Sequence, residues 1–142
     1  MMRFWSMAVE ADGSFAPLFR RILLALWILA IAAVVIGSLE PRLAPTDRLS
    51  LDKLVHLAAY AVLGWLPAMA FIRRGRVFAA AGAMVAMGGL IELAQDFVPG
   101  RSSGVGDFLA NAIGVILGVG IAFVTRSRLT RLPAPRASRR GS

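Results

Sequence analysis

The chain has 142 residues, of which 58% are apolar and only 17% charged, with a net charge of +8 and no cysteine. Lack of cysteine excludes disulfides, thiolate metal sites and a thiol nucleophile. A basic soluble chain would suggest nucleic acid, but here the arginines flank apolar stretches and form no basic face alternating with aromatics. Mean hydropathy is well above zero, so the charge pattern points to a membrane.

Four apolar runs follow in chain order: 22–39, 54–72, 77–95 and 108–124. Each has 17 to 19 residues, close to the ~20 needed to cross a hydrocarbon core of about 30 Å as a helix. Lipid offers no partner to an unpaired backbone N–H or C=O, so each run is expected to be helical throughout. The fold class is therefore all-α, a polytopic bundle of about four transmembrane helices. The first run, behind Arg20 and Arg21, also has the look of a signal peptide. Some twenty residues precede it, it exceeds a usual h-region, and Val35 and Gly37 make a poor cleavage site. Residues 1–21 are read as an N-terminal segment, 22–124 as the membrane domain, and 125–142 as a basic tail without apolar periodicity.

Arginine placement predicts the orientation. Arg3, Arg20, Arg21, Arg73, Arg74, Arg76, Arg126, Arg128, Arg131, Arg136, Arg139 and Arg140 fall on one side, and Arg42, Arg48, Lys53 and Arg101 on the other. Lys and Arg are retained on the cytoplasmic side. Both termini are thus expected in the cytoplasm of a multi-pass inner or plasma membrane protein, with loops 40–53 and 95–107 outside. The basic tail reads as a solvated segment that enforces this topology, with attraction to anionic lipid as the sharper alternative.

Nearly all other polar residues that enter an apolar run do so at the predicted outer face. Asp52, Lys53 and His56 open the second run, Glu92, Gln95 and Asp96 close the third, Arg101, Ser102 and Ser103 lie between, and Asp107 and Asn111 open the fourth. Helical spacing of three and four residues puts Asp52, His56 and Tyr60 on one stripe, Glu92, Gln95 and Asp96 on another, and Asp107 with Asn111 on a third. Gly88 and Gly89 lie one turn below Glu92, and Gly114 and Gly118 extend the Asn111 face as a G-x-x-x-G. Small residues let helices approach closely in lipid, so these polar faces are expected to turn inward.

Glu92 is the sharpest single residue. It stands fifteen residues after Val77, roughly 22 Å along a helix rising about 1.5 Å per residue. That depth lies inside the hydrocarbon edge, where a carboxylate costs about 3 kcal/mol unless paired or protonated. It is either a clamp between helices, paired with Arg101 or His56, or a general base or acid. His56, the one histidine, gains an orienting carboxylate in Asp52 one turn away, which would suit an acid/base dyad. The catalytic candidates are therefore Glu92, His56 and Asp52. Arg101 offers a planar fork for a phosphate or carboxylate, and with Gln95, Asp107 and Asn111 it makes the substrate-binding set. Ser102 and Ser103 are not aligned with His56 as nucleophiles. His56 with Asp52, Glu92 and Asp107 could ligate a divalent ion, but no dense ligand motif supports it and Lys53 and Arg101 would compete, so no metal or cofactor is expected.

These residues also carry a resemblance. Asp52-Lys53-x-x-His56 opens one helix, Glu92-x-x-Gln95 closes the next, Pro99-Gly100-Arg101 forms a loop, and Asp107-x-x-x-Asn111-x-x-Gly114 opens a last helix. In this order and spacing, over residues 50–118, the chain resembles the VanZ-like family; the basic tail is not part of the pattern. The resemblance implies a membrane protein of the bacterial cell envelope. Its namesake accompanies glycopeptide resistance and lowers susceptibility to teicoplanin. The implied partners are membrane lipids and a lipid-linked or cell-wall-related precursor at the outer face, and nucleic acid is not expected. Two functions fit the residues. In one the cluster modifies or binds that substrate; in the other the protein is a non-catalytic membrane scaffold whose polar cluster only holds the helices together.

Overall fold

In the computed structural model, the described residues are 16–40, 51–99 and 104–129, the side chains of Leu51 and Asp52 excepted. They form four α-helices and no strand: α1 (Pro17–Leu39), α2 (Leu51–Ala70), α3 (Arg74–Gln95) and α4 (Val105–Leu129). All four are long and apolar enough to cross a membrane. The sequence expectations for 1–15, 41–50, 100–103 and 130–142 lie outside the described residues.

Helix ends follow local chemistry. Proline at the first helical position of α1 sets φ for a helix and sacrifices an N–H that would have no partner there, so α1 starts at Pro17 and carries Arg20 and Arg21. The helix α2 stops at Ala70, two residues short of the apolar run. Its last turn contains Pro67, and the Phe71 amide closes the helix by donating to the Pro67 carbonyl at 2.8 Å. The carbonyls exposed at that end receive Arg126 of α4, whose Nη1 donates to the oxygens of Ala68 at 3.0 Å and Phe71 at 2.7 Å. The short turn to α3 then holds Arg73 at its N-cap.

Consecutive helices run up and down. Arg126 meets the end of α2, and Phe123 of α4 meets Phe78 near the start of α3 with ring centroids 6.3 Å apart. At the opposite end Gln95 of α3 reaches Ser38 of α1, and Gly104 at the start of α4 reaches Glu92. The end of α1, the start of α2, the end of α3 and the start of α4 thus share one end of the bundle, called the loop end below.

The most extensive contact joins α2 to α4, and its closeness comes from glycine. A Cβ at Gly114 would run into the Leu57 carbonyl, one at Gly118 into the Ala61 carbonyl, and one at Gly64 would stand 2.5 Å from the Val115 carbonyl. Backbones pack directly against backbones here, as small residues permit in lipid. By contrast α1 buries only Leu23 and Ser38 and lies at the margin of the bundle.

The exterior is more apolar than that of a soluble bundle, around a core that is also largely apolar. Leu18, Leu29, Leu90, Leu93, Ile116 and Ile121 are exposed, whereas His56, Glu92, Gln95 and Asn111 are buried. Apolar surface of this extent around the circumference would drive association in water. Facing lipid, it is the expected exterior, and the polar side chains fall where neighbouring helices can satisfy them.

Candidate functional site

Three helices each contribute one polar side chain to a common point near the loop end. His56 stands at the sixth position of α2, Glu92 in the last turn of α3, and Asn111 on the second turn of α4. Their exposures are 8%, 6% and 1%. Gly88 makes the meeting possible. A Cβ there would come within 3.2 Å of the Tyr60 ring and 3.3 Å of the Asn111 amide, so even one methyl group would press on both partners.

The contacts form a directed chain. Asn111 donates from Nδ2 to Glu92 Oε1 at 3.3 Å. Its Oδ1 is then the acceptor, and it stands 3.1 Å from His56 Nδ1. That arrangement assigns the hydrogen of Nδ1 to the contact, so His56 donates to Asn111 and Asn111 donates to Glu92. The direct separation of His56 Nδ1 from Glu92 Oε1 is 3.8 Å, short enough for an ion pair when the ring is protonated. The second carboxylate oxygen, Oε2, accepts from the Gly104 amide at 3.2 Å. Glu92 thus joins α2, α3 and the entry to α4 through one carboxylate.

The expected residues divide by where the fold puts them. Glu92, His56 and Asn111 come together. Asn111 lies between the other two, bonded to both and 1% exposed. Asp107 lies one turn nearer the loop end, half-buried, with its carboxylate folded back over Gly104 and its amide donating to the Gly104 carbonyl at 2.9 Å. Lys53 is exposed and its Nζ lies beside Gly106. Gln95 leaves the cluster: its Nε2 donates to the Ser38 carbonyl at 3.0 Å and ties α3 to the last turn of α1. The Asp52 side chain and Arg101 lie outside the described residues. Among the described residues no three His, Cys, Asp or Glu gather as metal ligands do.

Sequence reasoning left three participants without a role. The Gly104 amide and the Ser38 carbonyl are backbone groups, which residue type does not reveal. Tyr60 is the third, and its signal was present: it falls on the Asp52–His56 stripe at the next i+4 position. Its side chain is fully buried, and its hydroxyl has no hydrogen-bond partner among the described residues.

A bundle with an apolar exterior and a histidine, an amide and a carboxylate sealed between its helices defines a multi-pass membrane protein with a buried polar site at one end. The family model described as VanZ/LLP1 matches residues 14–126, most of the chain, and the protein belongs to that family. No curated protein and no solved structure matches the chain.

Proposed function

We propose that the protein binds or modifies a lipid-linked or cell-wall-related substrate at the outer face of the bacterial cytoplasmic membrane, and thereby lowers susceptibility to glycopeptides of the teicoplanin type. The observation that carries this reading is the buried Glu92 carboxylate, linked through Asn111 to His56. A carboxylate and an imidazole inside a membrane domain are costly and mark functional positions. Asn111 carries no proton itself but fixes the imidazole and the carboxylate 3.8 Å apart, and each of those two groups can take up or release a proton. In this reading Glu92 and His56 handle the proton, Asp52 orients His56 from the preceding turn, and Arg101 holds an anionic head group. The arginine distribution along the sequence favours the outer face for the loop end.

A second reading has its own support. The same polar residues join all four helices by hydrogen bonds, Gln95 to α1, Glu92 to α4 and Asn111 to α2, as expected of a scaffold. The two readings part in one experiment. A glycopeptide-sensitive host expresses the wild type or Glu92→Gln at matched membrane levels, and teicoplanin and vancomycin susceptibility are compared. Selective protection against teicoplanin by the wild type, lost in Glu92→Gln, supports the site. Equal protection by both proteins, or by neither, overturns it.

A further inference from the structure

Tyr60 is the one buried side chain near Glu92 whose polar atom no described residue satisfies. It is 1% exposed, stands one turn along α2 from His56, and lays its ring edge against Gly88, one turn below Glu92. Its Cβ abuts Gly114 of α4. The ring therefore fills the space between α2, α3 and α4 directly beneath the cluster, against the same Gly88 that the Asn111 amide abuts. Phenylalanine would fill the same space with no polar atom to satisfy, so the hydroxyl must contribute something that packing does not. A phenol both donates and accepts, and a sealed hydroxyl without a partner is strongly disfavoured. A polar group must complete it, and water is the smallest that both donates and accepts.

We propose that the Tyr60 hydroxyl and the Glu92 carboxylate share a single internal water, and that Tyr60 is a positioning residue for Glu92. Buried waters make two to four hydrogen bonds to otherwise unsatisfied groups. Tyr60 and Glu92 supply two, and the Asn111 amide, which abuts the same Gly88, stands next to them. The polar chain then has four protein members, His56, Asn111, Glu92 and Tyr60, with the carboxylate held from above by the Gly104 amide and from below through the water. The proposal deepens the reading of this cluster as a functional site, but its test is spectroscopic and independent of any host phenotype.

The experiment uses the full chain in lipid nanodiscs and infrared spectra in ordinary and 18O-labelled water. The wild type is expected to show an isotope-sensitive O–H stretch of an ordered water, and that band is lost in both Tyr60→Phe and Glu92→Gln. The carboxyl band that disappears in Glu92→Gln is expected to shift in Tyr60→Phe, while the helical signal is unchanged. A purely space-filling ring would not move it. Absence of the isotope-sensitive band in the wild type, its survival in Tyr60→Phe, or an unmoved carboxyl band in Tyr60→Phe overturns the proposal. Intact bands with no protection of the host would overturn the functional reading alone.

Discussion

Gly118→Ala adds one methyl group where α4 crosses α2, and the consequence can be worked from the backbone. The new Cβ would overlap the Ala61 carbonyl oxygen and lie 2.9 Å from both the Ala61 carbonyl carbon and the Trp65 amide nitrogen. None of these atoms can rotate away, because all belong to the α2 backbone. The helices must separate, and overpacking of this kind costs about 1–3 kcal/mol, or more when backbone is the obstacle. Alanine opposes this with a helix propensity gain of about 1 kcal/mol. With backbone as the obstacle the steric cost takes the upper end, about 3 kcal/mol, so the steric term wins by about 2 kcal/mol. At roughly 4 °C per kcal/mol for a chain of this size the midpoint falls by about 8 °C. Gly120, two residues on, has nothing within 4 Å of a built Cβ. Gly120→Ala shares the propensity gain without the clash, so its Tm should equal or exceed that of the wild type. Thermal melting in one detergent, followed by circular dichroism, reads both. Equal Tm values for the two variants, or a higher one for Gly118→Ala, would refute the close approach of α2 and α4.

Further outcomes follow from individual contacts. Asn111→Leu removes the residue between His56 and Glu92 and leaves both buried without it. At about 1–3 kcal/mol for each orphaned polar group, it should lower Tm by more than Glu92→Gln does. Arg126→Leu strips the Ala68 and Phe71 carbonyls of their donor; a charge-assisted contact is worth roughly 1.5–3 kcal/mol. Hydrogen exchange should accelerate in the last turn of α2 and remain slow around Asn111, whereas uniform acceleration would contradict a local cap. Gln95→Leu cuts the tie to Ser38, so a disulfide engineered between α1 and α3 in this cysteine-free chain should form more slowly than in a Gln95 background. An unchanged rate would show that α1 is held elsewhere.

Much of this was legible in residue order. Apolar runs of membrane-spanning length gave four helices, and spacing of three and four placed His56, Glu92 and Asn111 on inward faces. Gly114 and Gly118 announced a close crossing, which α2 supplies. What stayed hidden was pairing between helices. Periodicity says which residues share a face but not what the face meets. Gln95 shares a stripe with Glu92, yet the two diverge because α1 offers the Ser38 carbonyl to one and α4 offers Asn111 and Gly104 to the other. Arg126, counted in the sequence only as a topological charge, proves to finish another helix. Its side chain is long enough to reach the exposed carbonyls of Ala68 and Phe71, a role that depends on where α2 happens to end.

The most direct test of the cluster as a site measures stability and phenotype together in Glu92→Gln. Glutamine keeps one oxygen that can accept from Asn111 or Gly104, so the substitution costs about 1 kcal/mol, a Tm decrease of about 4 °C. A working site predicts that host protection against teicoplanin is abolished while Tm falls by no more than that amount at equal membrane abundance. Full protection with the carboxylate gone, or protection that declines only in proportion to lost stability and abundance across Glu92→Gln, Asn111→Leu and Gly118→Ala, would contradict it and leave the cluster as a clamp.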